Sequence, residues 1–146
     1  MTIQDQVIGA LCCWREARGG LPQPNAMQSI LNVLHNRATK HGTDIYTEAT
    51  RKLQFSSLTA HGDPELTLWP SDSDPQWVTA LKLAATPLSD ITGGATDYYA
   101  PRGIVTKLGK TFTTPDGTVY PFPDGWNESA VKYTCTIANQ LFFSEP

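Results

Sequence analysis

The chain has 146 residues, of which 40% are hydrophobic and 17% are charged, and its formal net charge is −3. This composition is typical of a globular protein and excludes a disordered chain, and the length fits one domain with one core, residues 1–146. Lysines and arginines are scattered, which argues against a nucleic-acid partner, and no apolar stretch is long enough for an integral membrane segment.

Helical periodicity predicts two helices at the start of the chain. Residues 3–18 place apolar side chains at helical spacing, and the glycine pair that follows them is a C-terminal cap. Asn25 is the predicted N-cap of a second helix over residues 26–41, and Gly42 ends that helix.

The middle of the chain alternates between helical and loop patterns. Residues 47–53 are compatible with a short helix, and residues 57–75 are rich in Ser, Asp and Pro, which is typical of a surface loop. A third clear helix is predicted over residues 76–85, where Trp77 and Leu81 take inward positions.

Strand patterns are confined to the last third of the chain. Tyr98 and Tyr99 lie in a predicted strand, and a Pro-Asp-Gly turn between two β-rich runs predicts a hairpin at about residues 104–123. Residues 133–143 are expected to close the chain as one extended segment whose aromatic side chains pack on the core. Helices first and short strands later predict an α+β fold, mainly α, with a small β-hairpin region in the C-terminal third.

The three cysteines and three histidines have no metal-ligand spacing, so we expect no metal site and no cofactor. Cys12 and Cys13 are expected to be reduced core residues, although a disulfide from either of them to Cys135 is an alternative. Cys13 with His61 as its base is a candidate nucleophile pair. A cysteine late in a helix, however, lacks the dipole that favours a thiolate.

Glu16 is the strongest candidate for chemistry. The positions three and four residues away from it are Cys12, Cys13, Gly19 and Gly20. None of these can neutralise a carboxylate, as the neighbours on an ordinary surface helix do. A carboxyl in an apolar pocket keeps its proton near neutral pH and can act as a general acid on a glycosidic bond. An ion pair with Arg15 or Arg18 is the structural alternative, although both are too close in sequence to share the helical face of Glu16 well.

Four short motifs occur in order along the chain: "REARGG", "ILNVLHNRA", "LQFSS" and "TGGATDYYAP". Together with the closing "IANQLFF", they resemble the cell-wall hydrolase family of the spore-cortex lytic enzymes (the SleB/CwlJ type). The resemblance spans about residues 7–143. It implies a lysozyme-like domain that cleaves peptidoglycan glycan strands between N-acetylmuramic acid and N-acetylglucosamine, as a lytic transglycosylase or a muramidase.

The resemblance assigns the role of catalytic acid to Glu16. It would protonate the glycosidic oxygen and then, as a carboxylate, take the proton of the muramoyl 6-hydroxyl, which closes onto C1. The expected substrate-binding residues are Gln54, Ser56, Thr92, Gly93, Asp97, Tyr98 and Tyr99. The two tyrosines point to opposite faces of a strand, so one is expected in the groove and the other in the core. Asn32 and Asn36 are expected to hold the second helix against the loops.

The chain departs from the family pattern at several positions. Gly20 stands where many relatives have an acid, Asp97 where a histidine is common, and Gln140 where the closing histidine is usual. The hairpin at about residues 104–123 is interpreted as an insertion. Asp97 is a possible second carboxylate that would favour hydrolysis over transglycosylation, and the separation of the two carboxyls decides between these chemistries.

The expected partner is the peptidoglycan glycan strand, and the expected state is a monomer. The N-terminus has no basic region and carries Asp5, so no signal peptide is predicted. This combination resembles a phage endolysin, which is made in the cytoplasm and reaches the wall after the membrane is breached. The alternatives are a peptidoglycan amidase or endopeptidase that uses Cys13 and His61, and a non-catalytic glycan-binding module.

Overall fold

The computed structural model describes residues 1–17, 25–51, 55–59 and 61–146. The chain forms two compact units, which we call unit 1 (residues 1–91) and unit 2 (residues 92–146). The α-helices lie in unit 1 and the strands in unit 2, so the predicted α+β class, mainly α, is confirmed. The single-domain organisation stays a prediction.

Helix α1 (Ile3–Glu16) begins at a capping box. The Thr2 hydroxyl accepts a hydrogen bond from the Asp5 amide at 3.0 Å, and the Asp5 carboxylate accepts one from the Thr2 amide at 3.1 Å. These reciprocal bonds satisfy two backbone donors at the start of the helix. The helix ends with Ala17 as its C-cap, earlier than predicted, and the glycine pair expected as its cap lies outside the described residues.

Helix α2 (Ala26–His41) has the predicted bounds. Gly42 ends it in the left-handed conformation, with φ of 65°, which glycine adopts without steric cost. Asn25 occupies the N-cap position, but its side chain forms no cap hydrogen bond, so that part of the prediction was wrong. The backbone of Asn25 is helical rather than extended, and a cap needs the extended conformation to reach the first amides.

Helix α3 (Ile45–Thr50) and helix α5 (Pro75–Ala85) each begin at an aspartate. The Asp44 carboxylate accepts a hydrogen bond from the Thr47 amide at 2.7 Å, which starts α3 before the predicted residue 47. The Asp74 carboxylate accepts one from the Gln76 amide at 2.9 Å, with proline at the first position of α5. Both caps favour the observed start of the helix.

The predicted surface loop over residues 57–75 was wrong in part. It contains most of the short helix α4 (Ser56–Thr59) and a 3₁₀ turn, Pro64–Thr67. Such single turns leave no apolar stripe in the sequence, because they are too short to have two faces. The remainder of the segment leads without regular structure to the cap of α5.

The core of unit 1 lies where α1 meets α2, α3 and α5. Gly9 of α1 allows a close approach, since a Cβ there would lie 3.2 Å from the Ile45 side chain and 3.4 Å from that of Leu31. The most deeply buried apolar side chains of the unit are Ala10, Cys12, Cys13, Ile30, Val33, Leu34, Ala49 and Ala80. Burying this apolar surface is the main stabilising contribution to the unit.

Unit 2 contains five described strands and two 3₁₀ turns. They are β1 (Asp97–Tyr99), β2 (Thr111–Thr113), β3 (Val119–Pro121), β4 (Lys132–Ile137) and β5 (Gln140–Ser144), with 3₁₀ turns at Pro101–Gly103 and Glu128–Ala130. Strands β1, β5 and β4 form an antiparallel sheet in that order. Strands β2 and β3 pair separately, with Phe112 opposite Tyr120, so the predicted hairpin is confirmed.

The closing segment is two strands rather than the single extended segment that was predicted. Strands β4 and β5 are joined by Ala138 and Asn139, whose φ angles are 51° and 64°. Positive φ at both central residues is the geometry of a tight β-hairpin turn. Such turns are usually marked by glycine, and its absence here explains why the periodicity did not indicate a reversal. The aromatic side chains do pack as expected, since Phe142 and Phe143 are fully buried.

Candidate functional site

Glu16 is the last residue of α1 and is half-buried. One helical turn before it, on the same face, lies Cys12, whose side chain is fully buried. Burial raises the pKa of the Cys12 thiol well above its usual value, and the negative charge of Glu16 raises it further. The carboxylate of Glu16 therefore lies within electrostatic reach of a buried, protonated thiol.

Arg37 of α2 also acts electrostatically on the Cys12 thiol. Its positive charge acts on the Cys12 thiol in the opposite direction, lowering the pKa. The guanidinium carbon lies 5.0 Å from the ring centroid of Phe55, a cation–π contact in which Arg37 is 6% exposed and Phe55 is 1% exposed. Glu16 and Arg37 thus both act on the Cys12 thiol, and Phe55 contacts Arg37; the three residues come from three separate motifs.

Arg15, one of the two predicted ion-pair partners of Glu16, is anchored elsewhere. Its Nε and Nη2 atoms donate to the Leu68 carbonyl oxygen at 3.2 and 2.8 Å. The residue is 5% exposed, so these bonds satisfy a guanidinium that is largely out of water. Arg18, the other predicted partner, lies outside the described residues.

The two asparagines of α2 hold a loop, as predicted. The Asn32 amide donates to the Ser89 carbonyl at 3.2 Å, and its oxygen accepts from the Ile91 amide at 3.0 Å. Asn36 donates to the Asp90 carboxylate at 3.2 Å. Asn32 is 3% exposed, and these two hydrogen bonds satisfy its buried side chain.

Two predicted binding residues lie outside what the structure describes. Gln54 is not among the described residues, and of Ser56 only the backbone, as the first residue of α4, is described. Their role in substrate binding stays a prediction.

In unit 2, Thr92 and Gly93 form a tight turn before β1. The Thr92 side chain is fully buried, and its hydroxyl accepts a hydrogen bond from the Ala95 amide at 3.3 Å. Gly93 is exposed and has φ of 67°, so another residue there would be strained. Thr92 therefore fixes the turn from inside, and Gly93 presents its backbone to solvent.

Strand β1 consists of Asp97, Tyr98 and Tyr99, of which only Tyr99 is buried. Tyr99 is 6% exposed, and its hydroxyl donates to the Pro121 carbonyl at 2.8 Å, so Tyr99 takes the core position of the pair. Tyr98 is half-buried and stacks on Phe142 at 5.6 Å. Asp97 is half-buried and accepts a hydrogen bond from the Thr96 hydroxyl at 2.8 Å.

The three cysteines are free thiols, as expected. Cys13 donates to the Ala10 carbonyl at 3.3 Å, and burial raises its pKa to about 12. His61 is exposed and forms no hydrogen bond with Cys13 in the described part of the chain. A buried, protonated thiol without a base is a poor nucleophile, which argues against the cysteine mechanism.

Glu48 is a buried acid that the sequence did not single out. It is fully buried and accepts hydrogen bonds from His41 at 3.0 Å, Thr43 at 2.6 Å and Arg51 at 2.7 Å. Burial by itself would raise the pKa of Glu48, but these bonds outweigh it and bring the pKa to about 2. The available signal was Arg51 three residues later, a spacing that lets the two charges meet on a helix.

Among the described residues, no group of three or more His, Cys, Asp or Glu side chains is placed to hold a metal ion. In the same part of the chain, every helix is too short or too polar to cross a bilayer. No protein-family model matches the chain, and no curated protein or solved structure matches it. The function therefore has to be inferred from the site residues and their geometry.

Proposed function

We propose that this protein cleaves the glycan strands of peptidoglycan between N-acetylmuramic acid and N-acetylglucosamine, with Glu16 as the general acid. The observation that carries the proposal is that the charges of Glu16 and Arg37 both act on the buried Cys12 thiol, while Arg37 also contacts the ring of Phe55. Each of the three residues comes from a different one of the motifs that resemble the cell-wall hydrolase family. These two links between the motifs support the resemblance.

The position of Glu16 on α1 suits a proton donor. The carboxyl stands at the C-terminal end of a helix, where the negative end of the dipole disfavours an anion. It is half-buried, so it is partly withdrawn from water and still open to a substrate on one side. Glu48, in contrast, is fully buried and holds its charge through three partners, so it cannot supply a proton at neutral pH.

In the proposed reaction, the Glu16 carboxyl donates its proton to the glycosidic oxygen. The bond between C1 of the muramoyl residue and that oxygen breaks, its electron pair stays on the oxygen, and C1 becomes oxocarbenium-like. The muramoyl 6-hydroxyl then attacks C1 and gives its proton to the Glu16 carboxylate. The product is a 1,6-anhydro sugar, and the carboxyl is regenerated.

Water in place of the 6-hydroxyl would give a reducing end by the same proton transfers. Asp97, a half-buried carboxylate of unit 2, stays the predicted second carboxylate for that water. The two products distinguish a lytic transglycosylase from a muramidase.

The test is the digestion of purified peptidoglycan by wild type and by Glu16→Gln, with mass spectrometry of the released muropeptides. Loss of the general acid is expected to slow cleavage by about 10²- to 10⁴-fold. Glu128→Gln is the matched control, because it removes the same charged group from an exposed position in unit 2 and should leave the rate unchanged.

Anhydro-muropeptides that disappear with Glu16→Gln support the transglycosylase, and reducing ends support the muramidase. Free stem peptides with intact glycan strands would instead overturn the proposal. Undiminished cleavage by Glu16→Gln would remove Glu16 from the mechanism. If the wild-type protein binds peptidoglycan without cleaving it, the alternative of a non-catalytic glycan-binding module is supported instead.

Cys13 separates this proposal from the amidase alternative. Because its thiol is buried and bonded to a backbone carbonyl, Cys13→Ala should keep the rate of cleavage per folded molecule within about twofold. Complete loss of activity in a Cys13→Ala variant with a native circular dichroism spectrum would favour the cysteine mechanism.

A further inference from the structure

Trp69 presents an aromatic ring to solvent. It is 72% exposed, whereas Trp14, its neighbour in unit 1, is 5% exposed. Indole is among the largest apolar groups in proteins and is usually buried over most of its surface. A single exposed ring is not by itself a binding site, so the groups around Trp69 decide whether it belongs to one.

The ring of Trp69 makes a cation–π contact with the guanidinium of Arg15. The guanidinium carbon of Arg15 lies 4.9 Å from the indole centroid. Arg15 is 5% exposed and is itself anchored by two hydrogen bonds to the Leu68 carbonyl. The indole is therefore ordered before any ligand arrives, which lowers the entropy cost of binding to it.

The ring borders a depression of about 570 Å³ with a polar rim, within the size range of small-ligand sites. Ser71, Asp74 and Gln76 line the same depression. The Asp74 carboxylate is fixed there because it accepts hydrogen bonds from the indole N–H of Trp14 at 3.0 Å and from the backbone N–H of Gln76 at 2.9 Å. Within the described part of the chain, the Gln76 carboxamide makes no hydrogen bond, so it is available to a ligand.

We propose that Trp69 is the stacking platform of a saccharide subsite in unit 1. A pyranose ring has one face of C–H groups and a rim of hydroxyl and acetamido groups. The apolar face fits the exposed indole, and the rim fits the carboxamide of Gln76 and the hydroxyl of Ser71. The site offers hydrogen-bonding groups around an aromatic ring, the combination that orients a polar ligand.

The subsite rests on the proposed function for the identity of its sugar. Arg15, which supports the indole, directly precedes Glu16 on α1. The platform is therefore anchored to the helical turn that carries the proposed acid. A glycan strand is longer than the two sugars that react, so a sugar further along the strand takes the Trp69 subsite.

The test measures binding in full-length protein with the Glu16→Gln substitution, so that the ligand is not consumed. The probe is the tetrasaccharide of alternating N-acetylglucosamine and N-acetylmuramic acid, titrated by isothermal calorimetry. Adding Trp69→Ala should weaken binding at least about tenfold, which corresponds to about 1.4 kcal/mol. Trp69→Phe should keep it within about threefold, because a ring remains, and Gln76→Ala should weaken it severalfold.

Tyr46→Ala is the matched control, since it removes a partly exposed aromatic ring of unit 1, 37% exposed, away from the depression. It should leave the affinity unchanged. Because Trp69 is largely exposed, Trp69→Ala is expected to fold, and circular dichroism checks this. In wild-type background, Trp69→Ala should raise KM for glycan strands while kcat changes little, because stacking contributes equally to ground and transition states.

Equal affinity with and without Trp69→Ala would overturn the subsite, as would failure of the tetrasaccharide to bind at millimolar concentration. These results are separable from those for Glu16. Binding lost with Trp69→Ala, together with cleavage retained by Glu16→Gln, supports the platform and removes the proposed acid. Cleavage lost with Glu16→Gln, together with unchanged binding by Trp69→Ala, removes the platform alone.

Discussion

Two glutamates of unit 1 show how the surroundings of a residue decide what it can do. Glu48 is surrounded by the donors of Arg51, Thr43 and His41, which hold it as a charged structural group. Glu16 stands half-buried at the C-terminal end of α1, one helical turn after a fully buried thiol. The two acids thus have different surroundings, and only Glu16 is proposed as a proton donor.

The lowered pKa of Glu48 makes stability depend on pH. Its pKa falls from the ordinary 4.5 to about 2 on folding, so the folded state binds the proton less tightly than the unfolded state. The resulting stabilisation, on the order of 3 kcal/mol, is fully present above about pH 4.5 and is lost as the pH falls to about 2. Glu48→Gln should lower the free energy of unfolding at pH 7 and flatten its dependence on pH below 4.5.

Urea unfolding at a series of pH values measures this effect. The difference between wild type and Glu48→Gln should be largest at pH 7 and should shrink as the pH approaches 2. Asp72→Asn removes an exposed carboxylate and serves as the control, with a profile close to that of wild type. A difference that stays constant over the whole pH range would show that Glu48 contributes no linked stability.

At the scale of elements, α2 is held to the end of unit 1 by side chains rather than by a backbone ladder. Asn32 bonds both a carbonyl and an amide of residues 89–91, and Gln28 reaches the same Ser89 carbonyl from an exposed position at 3.0 Å. Buried amide groups must be satisfied in this way when no strand or helix is available to do it.

Asn32→Ala removes two hydrogen bonds of a buried side chain, to the Ser89 carbonyl and from the Ile91 amide, and should cost about 1–3 kcal/mol in the free energy of unfolding. Gln28→Ala is the matched control, because it removes an exposed hydrogen bond to the same carbonyl and should cost less than about 0.5 kcal/mol. Chemical denaturation of both variants provides the comparison. Equal losses would mean that burial of Asn32 does not matter.

At the scale of the whole molecule, each unit has a core of its own. The core of unit 2 is built from Tyr99, Phe122, Leu141 and Phe143. Phe122 directly follows β3, so the hairpin that was interpreted as an insertion supplies a residue to this core. Its ring contacts those of Tyr99 and Phe143 at 6.0 and 6.1 Å. The hairpin is therefore a structural part of unit 2 and not an appendage to it.

Phe122→Ala should lower the free energy of unfolding by about 3–5 kcal/mol, because it empties a fully buried aromatic site. That loss is a large fraction of the stability of a chain of this size. Val119→Ala changes a residue of β3 that is 61% exposed and should have little effect. Thermal unfolding of the two variants tests the difference, and a small shift for Phe122→Ala would argue against the aromatic core.

Much of the helical architecture was predictable from the sequence. The apolar stripe of α2 and the glycine after it fixed both of its ends, and the Pro-Asp-Gly turn identified the β2–β3 hairpin. Shorter features were missed where no local signal exists. Helix α4 has too few residues for a stripe, and the turn at Ala138 and Asn139 lacks the usual glycine.

The candidate site, like the fold, was predictable from the sequence only in part. The choice of Glu16 came from local spacing and from a resemblance between motifs, both of which are properties of the sequence. The buried position of Thr92, the core position of Tyr99 and the Glu48 cluster could not be predicted, because each depends on which distant segments pack against it.

The sequence by itself determined the fold class, the bounds of α2 and the residue proposed as the acid, because periodicity, a terminal glycine and motifs are local. Only the tertiary structure decided that Arg37 acts on the same buried thiol as Glu16 and contacts Phe55, and that Arg15 supports the exposed ring of Trp69. Residues 15 and 69 are far apart in the chain. Their contact arises from the packing of a loop against α1, which local sequence patterns do not encode.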